Sequence, residues 1–249
     1  MSKIFCFANH KGGTGKSTTT LNTGAGLVRL GKKVLLIDLD PQANLTVMLG
    51  IYSRPVKTLY ELFSEECRVE ETLLSISDKL HLLPSSLDLS GAELEISGEH
   101  GRETKLKRLI APVVNNYDYV LIDAPPSMSL LTINGLVASQ KVFIPVQTEF
   151  IAFNGLAKFV DIVKKMSPLN PELQIGGVIA TRYDNRKVLN RGVVEKIKEL
   201  FGDKFLNVII RENVAVAESV ASGLDIFSYA PKSYGAEDFS LLVNKIIKL

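Results

Sequence analysis

The chain has 249 residues, which suits one α/β domain or two small ones. Its 46% hydrophobic and 22% charged residues fit a globular chain with a sizeable core, and a net charge of +2 makes the distribution of charge more informative than its total. Cys6 and Cys67 lie far apart and outside any C-x-x-C, His10, His81 and His100 have no metal-ligand spacing, and no segment reaches the ~18 consecutive apolar residues of a membrane span. The composition therefore excludes a disulfide scaffold and a helical membrane protein, and a cytoplasmic protein is the expectation.

Ile4-Phe5-Cys6-Phe7-Ala8 predicts a buried strand, with Cys6 as small apolar filler. The loop His10-Lys11-Gly12-Gly13-Thr14-Gly15-Lys16-Ser17-Thr18 follows, and helical spacing of Leu21, Ala25, Leu27, Val28 and Leu30 runs from 18 to Gly31. Strand 33–37 leads into Asp38-Leu39-Asp40-Pro41-Gln42, two carboxylates expected just past the strand end. Residues 43–75 read as short helices with loops. Strand 79–83 and helices 87–96 and 103–114 come next, then strand 119–123, ending in Asp123. Helix 129–138, strand 142–146, helix 153–166, strand 174–180, helix 188–201, strand 206–210 and helices 214–221 and 235–248 complete the chain. This alternation predicts an α/β fold, a doubly wound and mainly parallel sheet flanked by helices, with residues 1–249 as one domain. Right-handed crossovers would bring 9–10, 38–40 and 123 to one sheet edge.

The loop matches G-x-x-x-x-G-K-[ST] except that His10 stands at the first glycine. Gly12, Gly13 and Gly15 let backbone amides approach a phosphate, and the following helix start adds further donors. Lys16, with the backbone through Thr14 and Thr18, can cradle phosphates, and Ser17 can ligate Mg²⁺. Asp123 can hold that ion through its water shell, and Asp40 or Asp38 can position an attacking water. Lys11 is either a solvated lysine or a cation that meets a second subunit's nucleotide.

Lys11 to Thr18 resembles the deviant Walker A motif of the ParA/MinD ATPases. Asp38-Leu39-Asp40-Pro41-Gln42-Ala43-Asn44 is similar to their switch segment, and Leu121-Ile122-Asp123-Ala124-Pro125-Pro126 to their Walker B. Residues 84–93 and Pro145-Val146-Gln147-Thr148-Glu149-Phe150 are closer to the ParA/Soj branch than to MinD. The resemblance spans nearly the whole chain. It implies slow, partner-stimulated ATP hydrolysis by an ATP-sandwich homodimer, with ATP and Mg²⁺ as cofactors. Lys11 would then reach the partner's phosphates, Asp40 would orient water and Asp38 would sit near the metal shell. It also implies non-specific DNA binding on the nucleoid and a ParB-like or other cargo-adaptor activator.

Residues 182–211 carry eight basic and four acidic side chains, an excess of about +4. A solvated charged helix is the competing reading of that segment. Arg186 matches a DNA-contacting arginine of the family. A second such arginine is replaced by Ala215, which either weakens the DNA reading or moves the contacts to Lys187, Arg191 or Arg211. Arg182 and Asn213 are candidates for the adenine side. The apolar tail 239–249 is expected to be a packed helix; its alternative, a lipid anchor, would make the chain a MinD-like membrane-surface ATPase.

Overall fold

The structure is a computed structural model that describes residues 2–149 and 152–249. The start of the chain alternates short apolar runs with helices: β1 (Lys3–Phe7), α1 (Lys16–Arg29), β2 (Val34–Asp38), then α2 (Asn44–Met48), α3 (Leu59–Phe63) and α4 (Val69–Thr72). Gly31, at φ +81°, stops α1, and a Thr58–Glu61 capping box starts α3. Next come β3 (Leu74–Ser77), β4 (Leu80–Leu83), α5 (Leu89–Glu95), α6 (Lys105–Val114), β5 (Tyr119–Asp123) and α7 (Leu130–Ala138). The chain continues through β6 (Lys141–Gln147), α8 (Ala152–Lys165), β7 (Gln174–Tyr183), α9 (Val188–Phe201), β8 (Phe205–Arg211), α10 (Val214–Ala221), α11 (Ile226–Tyr229) and α12 (Tyr234–Ile246).

The eight strands form one sheet in the order β3-β4-β2-β5-β1-β6-β7-β8, parallel throughout except for β3 against β4. The central strands are buried on both faces because period-2 alternation supplies two cores. Cys6, Ile37 and Ile122 pack under α3 to α9, while Phe5, Phe7, Leu36 and Leu121 pack under α1, α11 and α12. Phe143 sits edge-on to Phe5 and stacked on Phe7, at centroid separations of 5.3 and 5.5 Å. Register brings Phe7 and Asp38 level with Asp123, so β1, β5 and β2 end together, as the crossover argument requires.

The sequence-based reading needs three corrections. Residues 74–77 form the edge strand β3 rather than part of a helical stretch; their half-buried, exposed alternation becomes a strand only by pairing with β4. The four-residue helix α11, capped by Asp225, is too short to leave a periodic signal. Helix α1 begins at Lys16, two residues early, because the loop itself supplies its first turn. Phe150, in the Pro145–Phe150 segment, lies outside the described residues.

No described helix is long and apolar enough to cross a membrane. Helix α12 buries Phe239, Leu242, Val243 and Ile246 in the core under α1, leaving that face no role as a lipid anchor. The packing of α1 on α12 depends on Gly26, where a Cβ would stand 2.6 Å from Val243 Cγ2. Gly26→Ala is therefore expected to destabilise the protein by about 1–3 kcal/mol in urea unfolding. An unchanged midpoint would show that this contact yields freely.

Candidate functional site

The site is assembled where β1, β5 and β2 end. Asn9 fixes the exit from β1: its Nδ2 donates to the Pro145 carbonyl at 2.7 Å and its Oδ1 accepts from the Lys11 amide at 3.2 Å. The loop then turns through Gly13 and Gly15 at φ +72° and +82°, conformations that strain any residue with a Cβ. Thr181, at the end of β7, pins the loop by donating its hydroxyl to the Thr14 carbonyl at 2.8 Å. Gly15 caps α1 with no side chain on the first-turn amides, which stay available to an anion. His10 packs against Gly155 of α8, where any Cβ would collide with the imidazole.

Lys16 is 7% exposed, and its ammonium donates to the Lys11 carbonyl at 3.4 Å. Burial pushes its pKa down, and the charges of Asp123 and Asp40 oppose that shift. Asp38 and Asp123 are fully buried neighbours on adjacent strands. Asp38 is the last residue of β2 rather than part of the following loop. Its Oδ2 accepts from the Thr46 amide at 2.8 Å and hydroxyl at 2.7 Å, while Oδ1 takes only a long 3.3 Å bond from the Asp40 amide among the described residues. Burial raises the Asp38 pKa to about 7 against the pull of the Thr46 hydrogen bonds.

Asp123 is less well accommodated. Neither of its carboxylate oxygens has a hydrogen-bond partner among the described residues. Burial first, and then the charge of Asp38, raises its pKa well above the carboxylate range; the Ser17 hydroxyl lies near enough to oppose this without making a well-directed bond. A buried acid without partners costs free energy unless a cation or donor joins it. Two orphaned oxygens, a neighbouring carboxylate and a hydroxyl form an all-oxygen donor set of the kind a hard divalent cation takes. Asp40, 5% exposed, lines the cavity over the glycine loop together with Ser17, its Oδ1 accepting from the Gln42 amide at 3.0 Å.

The cavity over the loop has a volume of about 620 Å³ and extends from Gly12 and Thr18 to Arg182, Asn213 and Val216. Arg182 holds φ +52°, a left-handed conformation rare for a side chain of its size, and lies 3.6 Å from Glu212. Asn213 lines the cavity, but its Oδ1 is engaged in capping α10 through the Ala215 amide at 2.9 Å. Lys11 precedes the first lining glycine, Gly12, and its ammonium lies 3.3 Å from Glu149 Oε2.

The candidate DNA-contacting residues separate. Arg186 is 87% exposed at its side chain and makes a two-pronged pair with Asp184, both bonds 2.9 Å. Lys187 sits 3.6 Å from Glu212, and Arg191 donates to the Asn185 carbonyl at 2.7 Å. Arg211 is built into the fold instead. It ties β8 to Asp238 and Glu237 on α12 and stacks 4.4 Å over Tyr234, so its charge is already matched. Sequence reasoning missed Thr46, Thr181 and the α10 wall at Val216. The one legible hint was a threonine, Thr46, directly after the apolar Leu45 in a segment following two acids.

Residues 2–175 match the family model described as AAA domain. The chain is 42% identical over 249 residues to the chromosome-partitioning ATPase Soj of Treponema pallidum (strain Nichols), covering 99% of this chain and 98% of that one. It is 41% identical, with the same coverage, to the sporulation initiation inhibitor protein Soj of Bacillus subtilis (strain 168). The crystal structure of cobyrinic acid a,c-diamide synthase from Mycobacterium smegmatis with bound ATP analog and magnesium superposes with a TM-score of 0.87 at 31% identity, covering 100% of this chain and 95% of that one. The glycine cradle, helix start and strand-end acids define a P-loop nucleoside-triphosphatase fold. Within that class, the chain belongs to the ParA/Soj family of partition ATPases.

Replacing Asp123 with a side chain that cannot ionise should relieve a cost of folding, because burial raises its pKa and ionisation at pH 7 therefore favours the unfolded chain. Without nucleotide or magnesium at pH 7, Asp123→Asn is expected to melt above the parent, by about 2–4 °C for each kcal/mol relieved in a chain of this size. An equal or lower melting temperature would mean that Asp123 carries no such cost.

Proposed function

We propose that the whole chain, residues 1–249, acts as one ATPase unit. It binds ATP with Mg²⁺, closes into a homodimer, and as a dimer holds DNA without sequence preference to segregate or position a cargo on the nucleoid. The observation that carries this reading is the pair of buried carboxylates, Asp38 and Asp123, beside a glycine cradle whose lysine and hydroxyl start α1. Such a site would take up a cation as its acids release their protons, and magnesium would be that cation. Gly12, Gly13, Thr14, Gly15, Lys16, Ser17 and Thr18 would cradle the phosphates, Ser17 would ligate the metal, and Asp38 and Asp123 would hold its shell. Magnesium bound there would neutralise charge that develops on the phosphates, and Asp40, on the cavity wall, would orient the attacking water.

Lys11 is the residue that makes closure necessary. Its ion pair with Glu149 is half-exposed, of the kind worth about 0–1 kcal/mol in water, so a partner's phosphate readily replaces the carboxylate. Arg186 stands in the same position toward DNA, since a phosphate can displace Asp184 from its exposed guanidinium. A ParB-like or other adaptor would accelerate hydrolysis.

Lys11→Ala is expected to keep nucleotide binding and to lose ATP-dependent dimerisation in sedimentation velocity. A dimer of unaltered stability would remove Lys11 from the interface. Arg186→Glu is expected to weaken retention on DNA and to flatten its salt dependence, which runs at a log–log slope of about −0.9 per phosphate neutralised. Retention equal to the parent's at several salt concentrations would move the contact surface elsewhere.

A further inference from the structure

We propose that Thr46 is the positioning residue of the metal-side carboxylate: it clamps one oxygen of Asp38 and so leaves the other available to the magnesium shell. This inference rests on the reading of Asp38 as a metal-side acid. Both donors of Thr46, amide and hydroxyl, converge on Oδ2, at 2.8 and 2.7 Å. Two donors on one oxygen fix the plane of the carboxyl group. Oδ1 is left, among the described residues, with one long contact of 3.3 Å, from the Asp40 amide.

The direction of the threonine proton follows from its third contact. Thr46 Oγ1 also accepts from the Ser85 amide at 3.1 Å. An amide can only donate, so it takes a lone pair and the hydroxyl hydrogen is left for Asp38. Thr46 is 2% exposed, which keeps bulk water from substituting for it. One hydroxyl thereby joins three pieces: the end of β2, the helix α2 that brings Asn44 and Met48 to the cavity wall, and the turn after β4. The carboxylate and the switch segment behind it are held in one geometry. A valine fills nearly the same volume but provides no such bond.

The test compares Thr46→Val, Thr46→Ser and Asp38→Asn with the parent. It measures the affinity for a fluorescent ATP analogue across a magnesium titration, together with kcat and KM for ATP. Thr46→Val is expected to raise the magnesium concentration at half-effect about tenfold, as loss of a group supporting a metal ligand does elsewhere. It should lower kcat and leave magnesium-free nucleotide affinity unchanged, and Thr46→Ser should restore the parent's values. If the valine variant does not fold, Thr46→Cys, which retains a weaker donor, takes its place with an intermediate shift expected. Parent-like magnesium dependence in Thr46→Val, with a shift in Asp38→Asn, overturns the role of Thr46 and leaves that of Asp38 intact. No shift in either overturns the reading of Asp38 and this inference with it. A serine variant as impaired as the valine one, or a loss of magnesium-free affinity, shows a packing role and overturns the proposal.

Discussion

Two acids on neighbouring strands, both withdrawn from water, set the terms for everything around them. The parallel register of β2 and β5 puts Asp38 level with Asp123, and helices on both faces of the sheet close off solvent. Like charges in such a place repel and are poorly solvated, so both carboxyl groups hold their protons far more tightly than exposed ones. Lys16 provides partial compensation, but it is itself buried and its own charge is disfavoured. The folded chain thus has a local demand for a cation whenever these acids ionise. A magnesium-bound phosphate ligand has the charge distribution to resolve it.

The surrounding fold keeps that arrangement from relaxing. Asn9 and Thr181 anchor the glycine loop from β6 and β7, so the loop cannot drift toward the acids to satisfy them. Thr46 holds Asp38 from the other side. Both oxygens of Asp123 are left without a hydrogen-bond partner among the described residues. The exposed surface is different in character. Lys11 with Glu149 and Arg186 with Asp184 are solvent-exposed pairs that exchange partners at little cost. The interior of the site is fixed and its edge is adaptable.

Charge counted along a sequence is a poor guide to charge available on a surface. The excess between 182 and 211 includes Arg211, whose guanidinium is matched by Asp238 and Glu237 from a helix more than twenty residues away. Lys196 and Lys198 face Glu199 and Glu195 on their own helix. Arg186 keeps most of its surface in water three residues past the end of β7, the strand whose Thr181 and Arg182 line the cavity.

The parallel α/β architecture, the glycine loop and the acids at 38, 40 and 123 are all legible in the order of residues. Each of these is a local signal: a doubly buried strand must be uniformly apolar, a phosphate turn needs residues without Cβ, and an acid ending such a strand interrupts the pattern visibly. The remaining features depend on pairings between residues far apart in the chain. Residues 74–77 alternate too briefly to be read as strand or helix, and β3 exists only through β4. Arg211 became structural only when α12 brought Asp238 to it, and Thr46 acquired its place only when α2 folded back under Asp38 and against Ser85. Hydrogen bonds and ion pairs are directional and short-ranged, so their partners are fixed by the packed chain and not by any spacing within it.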